Sequence, residues 1–170
     1  MTTTLTARRP DDLVAAVPVV LGFRPRDSLV MLTFDAPRCF HARVDLPAPQ
    51  PPPAALGEVV DALLEPAVAQ QVGRVAFVFY THDASLAARA AHPLHAAFTA
   101  QQIGVIEVLR AHAGQWWRVP CHPGGRESRP TAYDAESHPF AVQAVFEGRV
   151  TLESRDALRE TVAPEPGAQR

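Results

Sequence analysis

The sequence predicts an α/β (or α+β) fold in a single domain, with a mixed sheet of about five strands, and three observations indicate it. The segment 74–81 is almost continuously apolar, as in a central strand that is buried on both faces. A helical segment and a second strand over 105–112 follow it, which together make a central βαβ unit. Two strand-like segments, 28–34 and 39–46, are joined by the turn-like residues 35–38, which predicts an antiparallel hairpin.

Helical patterns flank these strands. Pro10, Asp11 and Asp12 favour the start of a first helix, because proline suits the first turn and carboxylates suit the positive end of the helix dipole. That helix is expected to run to Gly22, with a kink or an early end at Pro18. The other predicted elements are a helix over 54–71, a helix over 84–102, an antiparallel strand over 115–120, a polar loop over 121–136, a helix over 138–147 opened by Ser137, and a helix over 155–162 opened by Ser154.

One domain over 9–162 accounts for all of these elements. Residues 1–8 and 163–170 are expected to be disordered tails. The proline-rich segment 47–53 favours an extended polyproline conformation. Because only one helix and one hairpin precede it, we interpret it as an internal connector and not as a domain boundary.

The composition excludes several classes of partner. The chain has 170 residues and a formal net charge of -2, so nucleic acid is a disfavoured partner and no membrane partner is expected. No apolar stretch approaches the roughly 18 residues that span a bilayer, and the N-terminus lacks a signal-peptide core, so a cytoplasmic location is predicted. All 16 basic residues are arginine, which is typical of a GC-rich bacterial genome.

A polar cluster follows the predicted central strand and precedes a helix. It contains Thr81, His82, Asp83 and Ser85. Open α/β sheets place ligand sites at such strand ends, and a helix N-terminus favours an anion. The simpler interpretation, which we favour, is that Thr81 or Asp83 caps the helix.

The chain shows no glycine-rich phosphate loop, no GxSxG elbow and no HExxH motif. The candidate catalytic residues are therefore single side chains: His82, Asp83 and His138. If Ser137 caps its helix, His138 is free to act as a proton donor or an anion contact. In a hydrolase, His82 or His138 would be the general base, with Asp45 or Asp83 orienting it.

Two pairs of residues, each within one predicted strand, are further candidates for a functional site. Trp116 and Trp117 must point to opposite faces of a strand, so Trp117 either packs under another element or stacks on a ligand. Arg43 and Asp45 share one face of their strand, either as an exposed edge or, if covered, as a buried ion pair or part of a site.

Cysteines and histidines raise the question of a metal. The four residues Cys39, His41, Cys121 and His122 could supply zinc ligands, but such isolated pairs are common at arbitrary spacing. We therefore predict no metal site and no cofactor, and both cysteines are expected to be thiols.

Four segments resemble one known family, the actinobacterial domain of unknown function 4192. They are PDDLVAAVPVVLGFRPRDSLV, ARVDLP, GQWW with Cys121, and ESHPFAVQAVFEGR. The resemblance covers about residues 9–162 and implies no activity, cofactor or catalytic residue. Members often carry extra cysteines where this chain reads CHPGGRESRP, and many have an additional C-terminal region.

Three functional classes follow from these residues. The preferred one is a non-catalytic binding or regulatory module for a small anion or a protein partner, using the strand-end cluster, Arg24, Arg26 and an exposed tryptophan. The alternatives are the hydrolase and a structural or assembly subunit that forms a homo-oligomer through the hairpin edge. We also expect the loop over 81–85 and the helix start over 137–139 to line one pocket.

Overall fold

The computed structural model describes residues 6–162, so the expectations for residues 1–5 and 163–170 lie outside the described residues. The elements are α1 (Pro10–Leu21), β1 (Ser28–Phe34), β2 (His41–Asp45), α2 (Pro53–Ala69), β3 (Arg74–Tyr80), α3 (Ala84–Ala100), β4 (Gly104–His112), β5 (Gln115–Arg118), β6 (Thr131–Ala132), α4 (Pro139–Phe146) and α5 (Arg155–Val162).

The strands form one mixed sheet in the order β2-β1-β3-β4-β5-β6. Only β3 and β4 are parallel in this sheet, and α3 connects them, so the predicted βαβ unit is confirmed. The hairpins β1–β2 and β4–β5 are antiparallel, as predicted. The fold class is confirmed, and the additional strand β6 lies inside the segment 121–136, which was predicted as loop.

Helices cover both faces of the sheet, which explains why β3 is apolar throughout. Phe77 and Phe79 point into a core formed with α2 and α3. Ala76 and Val78 point the other way, into a second core beneath α1. Because side chains alternate between the two faces of a strand, a layer on each face requires apolar residues at consecutive positions.

Helix α1 continues through Pro18 to Leu21 and is not shortened by it. Proline has no N–H, so the carbonyl oxygen of Val14, four residues earlier, loses its helical donor. The Tyr80 hydroxyl donates to that oxygen at 3.3 Å. Burial raises the pKa of Tyr80 well above its ordinary value, and Tyr133 raises it further, so the phenol stays protonated as a donor.

Removing the Tyr80 hydroxyl tests this compensation. We expect Tyr80→Phe to lower the free energy of unfolding by about 1–2 kcal/mol, because the buried Val14 carbonyl is left without a donor. Urea unfolding measures the change. Tyr133→Phe is the matched control, since that hydroxyl has no hydrogen-bond partner among the described residues. Equal losses in the two variants would show that Tyr80 does not compensate for Pro18.

The start of α4 differs from the prediction. The N-cap is His138, whose Nδ1 accepts a hydrogen bond from the Phe140 amide at 3.1 Å. Ser137 as the cap was therefore wrong, because its hydroxyl donates to Asp134 at 2.6 Å instead. The cap of α5 is as predicted: Ser154 Oγ accepts from the amide of the third helical residue.

None of the helices within residues 6–162 is long and apolar enough to cross a membrane. The proline-rich segment 47–53 leads from β2 into α2 and is held against α3 by a hydrogen bond of 2.9 Å from Arg89 to the Pro51 carbonyl.

Candidate functional site

A cleft of about 980 Å³ opens where the parallel strands β3 and β4 end. Helix α1 contributes Ala15, Pro18 and Val19 to its lining, and α4 contributes Ala141 and Ala144. The carboxyl end of a parallel pair is the usual ligand position in open α/β sheets. The cleft is therefore the candidate site.

Strand register brings three basic side chains to one edge of this cleft. Tyr80 at the end of β3 pairs with Ser28 on one side and with Ala111 on the other. Arg26 and His82 lie two residues beyond Ser28 and Tyr80, and His112 directly follows Ala111. All three are exposed and line the cleft. The His82 and His112 rings lie 5.9 Å apart, centre to centre.

Two of the guanidiniums in the lining are free. Arg26 and Arg149 form no side-chain hydrogen bond or ion pair with any described residue. Arg24, in contrast, is held by Glu136 at 2.5 Å and lies 3.9 Å from Glu153. These contacts with carboxylates raise the pKa of Arg24 despite its partial burial. Arg26 and Arg149 are thus the guanidiniums available to an anion.

The strand-end cluster divides into capping and cleft-lining residues. Asp83 caps α3 by accepting from the Leu86 amide at 2.9 Å, and Thr81 Oγ1 accepts from the Asp83 amide at 3.0 Å. The capping interpretation is confirmed for Asp83, which is the N-cap of α3, whereas Thr81 holds the turn that precedes the helix. Thr81 and His82 line the cleft, whereas Ser85 is exposed and does not.

His138 lies outside the cleft and is engaged at both ring nitrogens. Its Nδ1 accepts from Phe140, so its Nε2 carries the proton and donates to Asp12 Oδ1 at 2.9 Å. Its carboxylate partner is Asp12, and not Asp45 or Asp83 as the hydrolase alternative required. The expectation that 137–139 line the cleft was wrong, because capping and the α1 contact turn His138 inward.

The segments that carry the family resemblance form α1, the start of β1, most of β2, part of β5 and α4, and of these α1 and α4 line the cleft. The sequence model of the family described as a domain of unknown function (DUF4192) matches residues 10–170. The chain belongs to the DUF4192 family. No curated protein and no solved structure shows a significant match to it.

Asp12 gives this DUF4192 domain an acid-sensitive contact between α1 and α4. Burial by itself raises the pKa of Asp12, but hydrogen bonds from the Arg8 amide, His138 and the Arg9 amide outweigh it and hold the pKa below its ordinary value. A depressed carboxyl pKa stabilises the fold above the unfolded-state value of about 3.9, and that stability is lost as the pH falls.

We therefore expect Asp12→Asn to flatten the dependence of unfolding free energy on pH below about pH 5. Urea unfolding between neutral and acidic pH measures the slope. Asp61→Asn, on the exposed face of α2, is the control and should keep the wild-type slope. A wild-type slope in Asp12→Asn would contradict the assignment.

A second network of side-chain contacts in the DUF4192 domain, which was not predicted from the sequence, lies at the ends of β3 and β4. Arg110 in β4 forms a two-pronged ion pair with Glu127, with Nε–Oε1 at 2.7 Å and Nη2–Oε2 at 2.8 Å. Its third nitrogen donates to the Thr81 carbonyl at 3.2 Å. The one signal in the sequence was an arginine that follows apolar residues near the end of a predicted strand, in VLRAH.

The two tryptophans point to opposite faces, as predicted. Trp116 is buried beneath α1, and its indole N–H donates to Asp11. Trp117 packs on Arg110, whose guanidinium carbon lies 3.8 Å from the ring centre. Trp117 does not line the cleft, and ligand stacking by this residue stays a prediction.

The zinc alternative was wrong. Cys39 lies 3.6 Å from His41 at the β2 edge, while Cys121 and His122 follow β5, which lies near the opposite edge of the sheet. Within the part of the chain that the structure describes, no three His, Cys, Asp or Glu side chains are placed to hold a metal ion.

The face of β2 that carries Arg43 is partly covered. Arg43 pairs with Asp45 at 2.7 Å, and its side chain is only 13% exposed whereas that of Asp45 is 71% exposed. The Phe23 ring lies 5.8 Å from the Arg43 guanidinium, whose buried Nε has no hydrogen-bond partner among the described residues. The pair lies outside the cleft lining.

Proposed function

We propose that the chain is a non-catalytic binding module whose cleft takes a small anionic molecule. The observation that carries the proposal is the pair of guanidiniums, Arg26 and Arg149, that line one cleft and have no side-chain partner among residues 6–162. Guanidinium groups bind carboxylates and phosphates through charge-assisted, often two-pronged hydrogen bonds. His82 and His112 add ring N–H donors beside Arg26.

The cleft supports binding better than hydrolysis. A general base needs a partner that orients it within the site. The histidine that has such a carboxylate partner, His138, lies outside the cleft, while His82 contacts the ring of His112 and no described carboxylate within ion-pair distance.

A second candidate is assembly through β2, because this five-residue strand lies at the edge of the described sheet with one side unpaired. Sheet edges pair readily with a second strand. A dimer whose formation depends on residues of β2, measured by analytical ultracentrifugation, would favour this function. A cytoplasmic location and an actinobacterial source remain predictions from the sequence.

The anion site is tested by replacing its free arginines. We expect Arg26→Gln and Arg149→Gln each to weaken binding of pyrophosphate or citrate about tenfold, because a charge-assisted hydrogen bond contributes roughly 1.5–3 kcal/mol. Isothermal titration calorimetry at fixed ionic strength measures the dissociation constants.

Arg38→Gln is the matched control, since Arg38 is exposed in the β1–β2 turn at the opposite end of β1. The proposal fails if no anion binds, or if Arg38→Gln weakens binding as much as the cleft variants do.

A further inference from the structure

We infer that the anion bound in this cleft carries an aliphatic body, which lies against α1 and α4 while the charged group meets the basic edge. This inference rests on the proposed function and names its ligand class. The ligand would be a carboxylate or phosphate attached to a short alkyl chain.

The cleft is much larger than an inorganic anion. A cleft of about 980 Å³ lies at the upper end of the range for sites that bury drug-sized ligands, roughly 300–1,000 Å³. An inorganic anion held at Arg26, His82 and His112 would leave most of this space unfilled. A ligand that fills the cleft therefore needs a body in addition to its anionic group.

The wall that α1 and α4 give the cleft consists of small or aliphatic side chains: Ala15, Pro18 and Val19 from α1, and Ala141 and Ala144 from α4. The rest of the lining includes polar side chains, among them Asp27, Tyr133 and Glu136. Alanine leaves room beside the helix backbone and offers no hydrogen-bonding side chain. An alkyl group gains from this wall, whereas the polar edge of a nucleobase would lose its hydrogen bonds there.

Exposed apolar side chains also belong to the cleft lining. Val145 and Val150 line the cleft, yet they are 75% and 74% exposed. An alkyl group that covers such side chains removes apolar surface from water, which favours binding. Arg149 lies between these two valines in the chain and lines the same cleft, so a charged group and apolar surface adjoin on this side too.

An alkyl-length series tests the inference in the intact chain. Calorimetry compares inorganic phosphate, butyl phosphate, hexyl phosphate and adenosine monophosphate. Each buried methylene should raise the affinity about three- to fourfold, so hexyl phosphate should bind roughly tenfold more tightly than butyl phosphate. Adenosine monophosphate should bind more weakly than hexyl phosphate.

A matched pair of variants locates the alkyl group. Ala141→Phe fills the wall and should weaken hexyl phosphate about tenfold while leaving inorganic phosphate unchanged. Val142→Phe, at an exposed neighbouring position outside the lining, should change neither. If Ala141→Phe does not fold, the wild-type series still decides the question.

The outcomes separate the two proposals. If inorganic phosphate binds through Arg26 and Arg149 but chain length has no effect, or adenosine monophosphate binds best, the aliphatic body is wrong and the anion site stands. If no anion binds at all, the proposed function fails and this inference fails with it.

Discussion

Replacing Arg110 with methionine is expected to lower the free energy of unfolding by about 3–5 kcal/mol, the usual loss when one partner of a buried ion pair is removed. The side chains of Arg110 and Glu127 are only 6% and 16% exposed. Methionine fills much of the space but leaves the Glu127 carboxylate buried without its cation. It also removes the donor to the Thr81 carbonyl at the cleft.

The control for Arg110 lies on the next strand. Arg118 forms an ion pair with Glu107 at 3.1 Å, but its side chain is 55% exposed. Because exposed pairs contribute about 0–1 kcal/mol, Arg118→Met should cost no more than that. Chemical denaturation of both variants measures the difference, and comparable losses would contradict the assigned role of Arg110.

A double variant separates the buried charge from the packing. Adding Glu127→Gln to Arg110→Met removes the unpaired carboxylate and should restore part of the lost stability. A further loss in the double variant would mean that Glu127 contributes chiefly through contacts other than its ion pair.

Replacing His138 with alanine should cost about 2–4 kcal/mol, because one side chain holds α4 in two ways. Its Nδ1 caps α4, a contribution of about 1 kcal/mol. Its Nε2–H donates to Asp12 in α1, and loss of that contact leaves a carboxylate largely covered, at 14% exposure, with one fewer donor. Helix α4 packs against α1, so the cleft wall should loosen.

His138→Asn distinguishes the two contacts. Asparagine is a good N-cap but is too short to reach Asp12, so this variant should lose about 1 kcal/mol less than His138→Ala. Urea unfolding gives the free energies, and amide hydrogen exchange across α4 reports local opening. The dual role is contradicted if asparagine restores full stability, or if it restores none.

The main elements could be predicted because their signals are local. The continuous apolar run over 74–81 and the turn-like residues 35–38 identified a central strand and a hairpin correctly. Alternation along the strand also placed Trp116 and Trp117 on opposite faces. In each case the pattern that predicts the element lies within a few consecutive residues of the sequence.

The site could be predicted only in part, because its contacts are between distant segments. Thr81 and His82 were identified from their position at a strand end. His112 and Arg149 were missed, since only strand register and the packing of α4 bring them to the cleft. The cap of α4 was misassigned to Ser137 because nothing local indicates that its hydroxyl bonds to Asp134.

The most direct test of an anion site in this cleft is a titration of the backbone amide chemical shifts with pyrophosphate. We expect saturable shifts that cluster at Arg26, His82, His112 and Arg149, and that are lost in the Arg26→Gln, Arg149→Gln double variant. Shifts that instead cluster at the β1–β2 turn or along β2, or no saturable shifts at all, would contradict this expectation.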